Sequence, residues 1–373
     1  MANPFHYGTP VAGAQFAGRQ QELRALTGRM SDGINVVVVS PRRYGKTSLL
    51  TKAAAELERA GAAVVQVNVL RCRDLPTFAA QLLTHAYRAK RGGWHRLRHG
   101  VPDFLRRFRV VPGVGFDAAG SPRFTFAPTL TAADADSVLA DVYALLSELT
   151  DKSPAVLVLD EFQAITDLGS HLPGLFKALA DEHPRVSLVV AGSKKHLMER
   201  LVITADAPLY GTAEHLALDV LPADVMAAFL VRRARAGGKD MQRAVADRLV
   251  ELAGPVPNDI QHLAYEVFDA AGAVVQDRHV VEGLRLAVEH EAGLHADRFE
   301  ALAPGQRRVL AQLALTPTGQ PLAAAFVRDV RLANSSSVRK ALDALLDEEL
   351  VSLRDGRYRV ADPFLAAWLR QGA

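Results

Sequence analysis

Ser40-Pro41-Arg42-Arg43-Tyr44-Gly45-Lys46-Thr47 follows the apolar run Ile34–Val39 and precedes a helical pattern over Ser48–Ala60. In the order strand, Gly-Lys-Thr loop, helix, backbone N–H groups and the positive end of a helix face a phosphate chain. Lys46 then reaches the β- and γ-phosphates of a nucleoside triphosphate, and the Thr47 hydroxyl suits the coordination shell of Mg²⁺. Ser40 stands where the usual G-x-x-x-x-G-K-[ST] pattern has its first glycine. The turn off the strand is expected to differ there, with phosphate binding retained. The candidate nucleotide-binding residues of this loop are Ser40, Pro41, Arg42, Arg43, Tyr44, Gly45, Lys46, Thr47 and Ser48.

A Gly-Lys-Thr loop needs a second half, and Ala155-Val156-Leu157-Val158-Leu159-Asp160-Glu161 supplies it. The apolar run fits a strand buried on both faces of a parallel sheet. Asp160 at its carboxyl end is placed to hold the Mg²⁺ shell. Glu161 is placed to orient and polarise an attacking water. Either motif alone has a bland reading as a buried strand or a glycine turn; the two together in this order point to ATP or GTP chemistry.

The chain has 373 residues, 49% of them apolar, enough for two or three domains with a sizeable core. A net charge of +3 permits a nucleic-acid partner without demanding one. The single Cys72 excludes an internal disulfide framework, and with no signal-like start or membrane-length apolar run the expectation is a cytoplasmic protein with no membrane partner. Flanking Arg71 and Arg73 are a weak hint of thiol activation, outweighed by the reading of Cys72 as a small side chain just after a strand.

Five runs suit a sheet: Ile34–Ser40, Ala63–Leu70, Ala155–Asp160, Val186–Gly192 and His215–Val220. Helical stretches lie between them at Ser48–Ala60, Leu75–Ala89, Ala133–Leu149 and Leu172–Glu182, with Gly61 as a cap for the first. This alternation predicts a parallel sheet with helices on both faces and a ligand at the carboxyl ends of the strands, where Gly45–Thr47, Asp160 and Ser193 fall. Beyond Pro222 the strand signal stops, and helices are expected over Pro222–Ala236, Met241–Ala253, Asn258–Ala271 and His279–His290. After His295 come helices around Arg307–Leu315 and Leu322–Val330, then one led by Asn334-Ser335-Ser336-Ser337, then a hairpin over Val351–Val360 turning at Asp355-Gly356. Three helices and a two-stranded wing predict a winged helix-turn-helix.

Phe16-Ala17-Gly18-Arg19-Gln20-Gln21-Glu22-Leu23, Pro41–Leu49, Leu159-Asp160-Glu161-Phe162-Gln163, Pro208-Leu209-Tyr210-Gly211, and Asp362-Pro363-Phe364 with Trp368-Leu369-Arg370 together resemble the archaeal and bacterial ATPases of the STAND/AAA+ group, relatives of origin-recognition ATPases. The resemblance implies an α/β fold: a P-loop parallel-sheet ATPase domain over residues 1–220, an α-helical lid over 221–292 and a C-terminal winged helix-turn-helix over 293–373. It implies ATP with Mg²⁺ between core and lid, Phe16, Gly18 and Arg19 near the adenine, and Ser193 as the polar residue that touches the γ-phosphate or water. Gly254 and Pro257 are similar to the Gly-x-x-Pro element by which the lid approaches nucleotide. The catalytic set expected is Lys46, Glu161 and Ser193, with Thr47 and Asp160 on the metal. Thr212 stands where many relatives carry an arginine after Leu-Tyr-Gly, and no lid arginine is evident in Pro255–Gln261, so slow hydrolysis is expected. The alternative is a protein-interaction scaffold that holds nucleotide without hydrolysing it.

Candidate partners are double-stranded DNA, a partner protein and, with nucleotide, further copies of the chain. Arg354, Arg357 and Arg359 on the wing and Arg339 with Lys340 near a helix start are the candidate DNA contacts. Asp343, Asp347, Glu348 and Glu349 oppose insertion of that helix along its length into a major groove. An insertion at about 90–130 carries a basic stretch, Arg88 to Arg109, with Trp94, Phe104 and Phe108 interleaved. It reads either as a phosphate- and base-holding surface or as the cover of its own small core. Pairs such as His95 with His99 and His290 with His295 lack the spacing and further ligands of a metal cluster.

Overall fold

Four consecutive valines, Val36–Val39, make the strand from which the phosphate loop emerges, and β-branched side chains suit a pleated surface covered on both faces. In the computed structural model, which describes residues 2–91, 112–116, 122–126, 132–151 and 153–372, contacts divide the chain into two units: residues 19–219, and residues 1–18 with 220–373.

The first unit contains, in order, α1 (Gln20–Ser31), β1 (Val36–Val39), α2 (Lys46–Arg59), β2 (Ala63–Asn68), α3 (Leu75–Arg91), β3 (Pro112–Phe116), β4 (Pro122–Phe126), α4 (Ala132–Leu149), β5 (Ala155–Asp160), α5 (Leu172–Glu182), β6 (Val186–Gly192) and β7 (Glu214–Ala217). β1, β2, β5, β6 and β7 form one parallel sheet in the order β2-β5-β6-β1-β7. Every residue of β5 and β6 is buried, the reason both read as unbroken apolar runs. The core is closed by Phe78 and Phe162, each meeting the ring of Phe176 edge-on at 6.2 Å. All five expected strands are present, shortened by a residue or more at some ends. α2 begins at Lys46 rather than Ser48, because Gly45 turns the loop straight into the helix. Gly61, at φ 95°, follows its end as expected.

β3 and β4 pair as an antiparallel hairpin in the expected insertion. Residues 92–111 lie outside the described residues, and with them most of the basic stretch, including Trp94, His95, His99, Phe104 and Phe108. Burial pushes the Cys72 thiol up to about 11, the behaviour of an inert side chain.

The second unit holds α6 (Ala223–Ala236), β8 (Asp240–Met241), α7 (Arg243–Ala253), α8 (Pro257–Ala270), β9 (Val274–Val275), α9 (Asp277–Ala301), α10 (Pro304–Leu315), α11 (Ala324–Asp329), α12 (Ser335–Asp347), β10 (Val351–Arg354), β11 (Arg357–Val360) and α13 (Pro363–Arg370). One apolar cluster, with Phe229, Leu249, Ile260 and Leu263, is covered by the chain's first residues. Phe5 is fully buried against Phe268, Tyr7 stacks on His262 at 3.9 Å, and the Gly8 N–H donates to Asn258 Oδ1 at 2.8 Å. α8 and α9 approach so closely that a Cβ at Gly283 would sit 2.6 Å from Val267 Cγ2 and 2.8 Å from its backbone nitrogen. α9 differs from expectation: it does not stop at His290 but runs unbroken to Ala301, through the 292/293 boundary expected between lid and winged helix.

A second cluster, with Val309, Leu313, Val338, Leu342 and Leu345, is the core of the winged helix. Asn334 caps α12 by accepting from the Ser337 N–H at 2.9 Å. β10 and β11 pair antiparallel about Asp355 and Gly356, at φ 50° and 70°, the left-handed pair a two-residue hairpin requires.

Candidate functional site: a phosphate loop with two carboxylates

β1 ends within the sheet, flanked by β6 and β7, and the loop after it is shaped by two left-handed residues, Arg43 at φ 69° and Gly45 at φ 87°. Gly45 sits at the start of α2, so Lys46, Thr47 and Ser48 form its first turn and their N–H groups have no earlier carbonyl of the helix to meet. That is the geometry that receives an anion. Lys46 is 5% exposed, Ser40 and Ser48 are buried, and Pro41, Arg42 and Arg43 lie exposed on the outer side of the loop. Buried Arg19 braces the loop from outside, its guanidinium donating to the carbonyls of Tyr44, at 3.3 Å, and Asp219 while pairing with Glu22 at 2.8 Å.

β5 delivers the carboxylates next to this loop. The Thr47 hydroxyl donates to Asp160 Oδ2 at 2.6 Å. Lys46 Nζ lies 3.5 Å from Glu161 Oε1, and Ser193, at the end of β6, donates to Glu161 Oε2 at 3.0 Å. Lys46, Thr47, Asp160, Glu161 and Ser193 therefore converge. Gln163, quoted in the motif but given no role by the sequence, joins them by donating to Glu161 Oε2 at 2.5 Å. Phe16, Gly18 and Pro257 belong to the other unit: Phe16 is half-buried, Gly18 turns at φ 57° against Leu221 and Val225, and buried Pro257 opens α8.

The two carboxylates are tuned in opposite directions. Burial pushes Asp160 up, opposed by the Thr47 hydroxyl and the Lys46 charge. Burial also works to raise Glu161, but Lys46 and the donors Gln163, Ser193 and Lys46 outweigh it and hold the carboxyl below its ordinary range. Glu161 is thus ionised and able to accept a proton.

Asp160, 1% exposed, is costly to ionise in the nucleotide-free fold. Because its folded pKa is raised, that cost is present at neutral pH and fades as pH falls from the folded value toward the unfolded one. Asp160→Asn is expected to raise the nucleotide-free thermal midpoint at pH 7, because the substitution removes the charge that burial disfavours. A lowered midpoint would reverse the sign assigned to this carboxylate.

The donors in the site, a hydroxyl and a carboxylate 2.6 Å apart, are hard oxygen ligands that fit Mg²⁺. Among the described residues no group of three or more His, Cys, Asp or Glu is arranged to hold a metal, and no helix is long and apolar enough to cross a membrane. In the winged helix, Arg339, Lys340 and Arg357 are exposed and Arg354 and Arg359 half-buried. Arg339 and Tyr358 line a cavity of about 430 Å³ with Gln320 and Pro321.

A family described as an ATPase domain predominantly from Archaea matches residues 16–263, and one described as "Probable winged helix domain" matches residues 295–371. No curated protein matches the sequence at a significant level. Among solved structures, the Walker-type ATPase PABY2304 of Pyrococcus abyssi is similar over 95% of this chain and 96% of its own, with a TM-score of 0.67 and 19% identity. The ORC2 protein of Aeropyrum pernix, in ADPNP–ADP complexes, is similar over 95% and 93%, with a TM-score of 0.58 and 16% identity. The ORC1 protein of the same organism, in complex with DNA, is similar over 98% and 94%, with a TM-score of 0.50 and 14% identity. These likenesses are of fold. With well over half of its length matched by the family and both nucleotide-site motifs brought together in space, the chain belongs to the ATPase domains found predominantly in Archaea, and carries a winged helix at its C-terminal end.

Proposed function

We propose that the protein is an ATP-binding molecular switch of the STAND/AAA+ type that hydrolyses ATP slowly and couples its nucleotide state to a winged helix engaging DNA or a partner protein. The observation that carries this reading is the convergence of Lys46, Thr47, Asp160, Glu161 and Ser193 at the carboxyl ends of β1, β5 and β6. Thr47 and Asp160 would hold Mg²⁺, which would supply positive charge against the phosphate chain. Lys46 turns from Glu161 to the phosphates, and Glu161 orients the water and accepts its proton, with Ser193 alongside. Slow turnover follows from a neutral hydroxyl, rather than a cation, at Thr212. ATP turnover measured with and without duplex DNA tests the reading; a protein that binds ATP and releases no phosphate in either condition is the non-hydrolysing scaffold instead.

For the winged helix, the exposed basic side chains favour phosphate contact, while exposed Asp343, Asp347 and Glu348 at α12 restrict docking to its N-terminal end. Neutralising Arg354, Arg357 and Arg359 together is expected to weaken duplex binding about equally for all sequences. The salt slope is expected to fall by roughly one unit for each phosphate that no longer meets an arginine. Wild-type protein with no duplex affinity at low salt, with or without ATP, removes DNA and leaves the protein partner.

A further inference from the structure

We propose that Gln163 is a positioning residue for hydrolysis, fixing one oxygen of the Glu161 carboxylate so that the other is presented to the attacking water. The inference rests on Glu161 being the base.

The turn that follows β5 is built to bring Gln163 back over Glu161. Glu161 leaves the strand at φ 53°, a left-handed conformation uncommon for a residue with a side chain, and Ala164 N–H donates to its carbonyl at 3.0 Å. Phe162, fully buried in the core, pins the turn, and Gln163 folds inward until it is 6% exposed. Its amide nitrogen then lies 2.5 Å from Glu161 Oε2. Ser193 donates to the same oxygen at 3.0 Å. Oε2 thus takes two hydrogen bonds, whereas Oε1 faces Lys46 at 3.5 Å. Once Lys46 is drawn to phosphate, Oε1 is the oxygen left open.

The orientation of the amide is dictated by this contact. A carboxylate oxygen accepts only a donor, so the nitrogen end of Gln163 faces Glu161. The other end, Oε1, is buried with no hydrogen-bond partner. A buried acceptor left that way is unfavourable, so the amide gains nothing from being turned inward except its hold on Glu161. Space for it exists because residue 192 has no side chain: a Cβ at Gly192 would sit 2.5 Å from Gln163 Oε1 and 2.3 Å from Met198 Sδ. With Ser193 alone, one hydrogen bond would leave the carboxylate free to swing about its terminal torsion, which has broad wells. Two donors, one from the β5 turn and one from the end of β6, define its plane. Both also stabilise the charged form.

The test is steady-state ATP turnover of the full chain across pH, with ATP affinity read separately from a non-hydrolysable analogue. Gln163→Leu is expected to lower kcat about tenfold, leave analogue affinity within about twofold, and move the acid limb of kcat to higher pH, because removing a donor makes the carboxylate easier to protonate. Gln163→Glu keeps length and polarity but sets an acceptor against Glu161. Its kcat is expected to fall at neutral pH and to recover as pH is lowered and one proton is shared between the two carboxyls, a trend opposite to that of the wild type. If wild type turns over ATP while both variants keep its kcat and the shape of its pH profile, Gln163 has no positioning role. If wild type and Glu161→Gln turn over equally, it is the assignment of Glu161 that fails.

Discussion

Lys46→Ala is expected to remove ATP binding, whereas Glu161→Gln is expected to bind ATP and stop turning it over. The two side chains are 3.5 Å apart, yet the proposed reaction uses them at different moments. On the proposed reading Lys46, 5% exposed in the first turn of α2, supplies the cation for the phosphates. Removing a charged partner of this kind costs about 2–4 kcal/mol, roughly 30- to 1,000-fold in Kd. Glu161→Gln keeps an oxygen that accepts from Ser193 and Gln163, so the geometry stays, but an amide takes no proton from water. A fall in turnover of about 10²–10⁴-fold is expected, the usual contribution of a positioned base. Equilibrium binding that is unchanged in Lys46→Ala would sink the phosphate-loop assignment.

Thr212→Arg is expected to accelerate hydrolysis when the protein self-associates. Thr212 closes the turn after Leu209 and Tyr210, its hydroxyl donating to the Leu209 carbonyl at 2.7 Å and its own carbonyl accepting from Asn35 at 3.1 Å. The Asn35 bond is to backbone and survives the substitution, so the turn is expected to persist with a cationic side chain in place of the hydroxyl. Charge developing on the transferred phosphoryl group needs a cation, and a supplied arginine is worth about 10³–10⁵ in rate in other nucleotidases. A neighbouring copy must present it, so the gain rises with protein concentration. Fast wild-type turnover at high dilution would show that another residue already fills the role.

Much of this was legible in the chain. Local patterns dominate where they are strong: the Gly-Lys-Thr loop, the Asp160-Glu161 strand end, the helix start at Asn334–Ser337 and the Asp355-Gly356 turn each depend on a few adjacent residues, and each forms as read. What was not legible depends on distant partners. The order β2-β5-β6-β1-β7 leaves no trace in any one strand. Phe5 and Tyr7 lie in a segment without periodicity, and their partners, Phe268 and His262, are distant from them in the sequence. The helix read as ending at His290 continues through Gly293 to Ala301, where packing of α9 against α7, α8 and α13 outweighs the ~1 kcal/mol that glycine costs a helix. Gln163 passed as a motif letter because its purpose appears only when the turn brings its amide onto Glu161.

The 25 residues of α9 have a mechanical consequence. At 1.5 Å per residue the helix is a rod of about 37 Å with one part packed on α7 and α8 and its far end in the winged helix. A domain on a flexible tether samples orientations and meets its target by chance at a concentration set by tether length. Here the winged helix is held instead: α9 runs unbroken from one apolar cluster to the other, and Phe364 of α13 is buried in the first of them. Inserting a few glycines near Gly293 is expected to interrupt the helix and leave the packing of α13 as the remaining attachment.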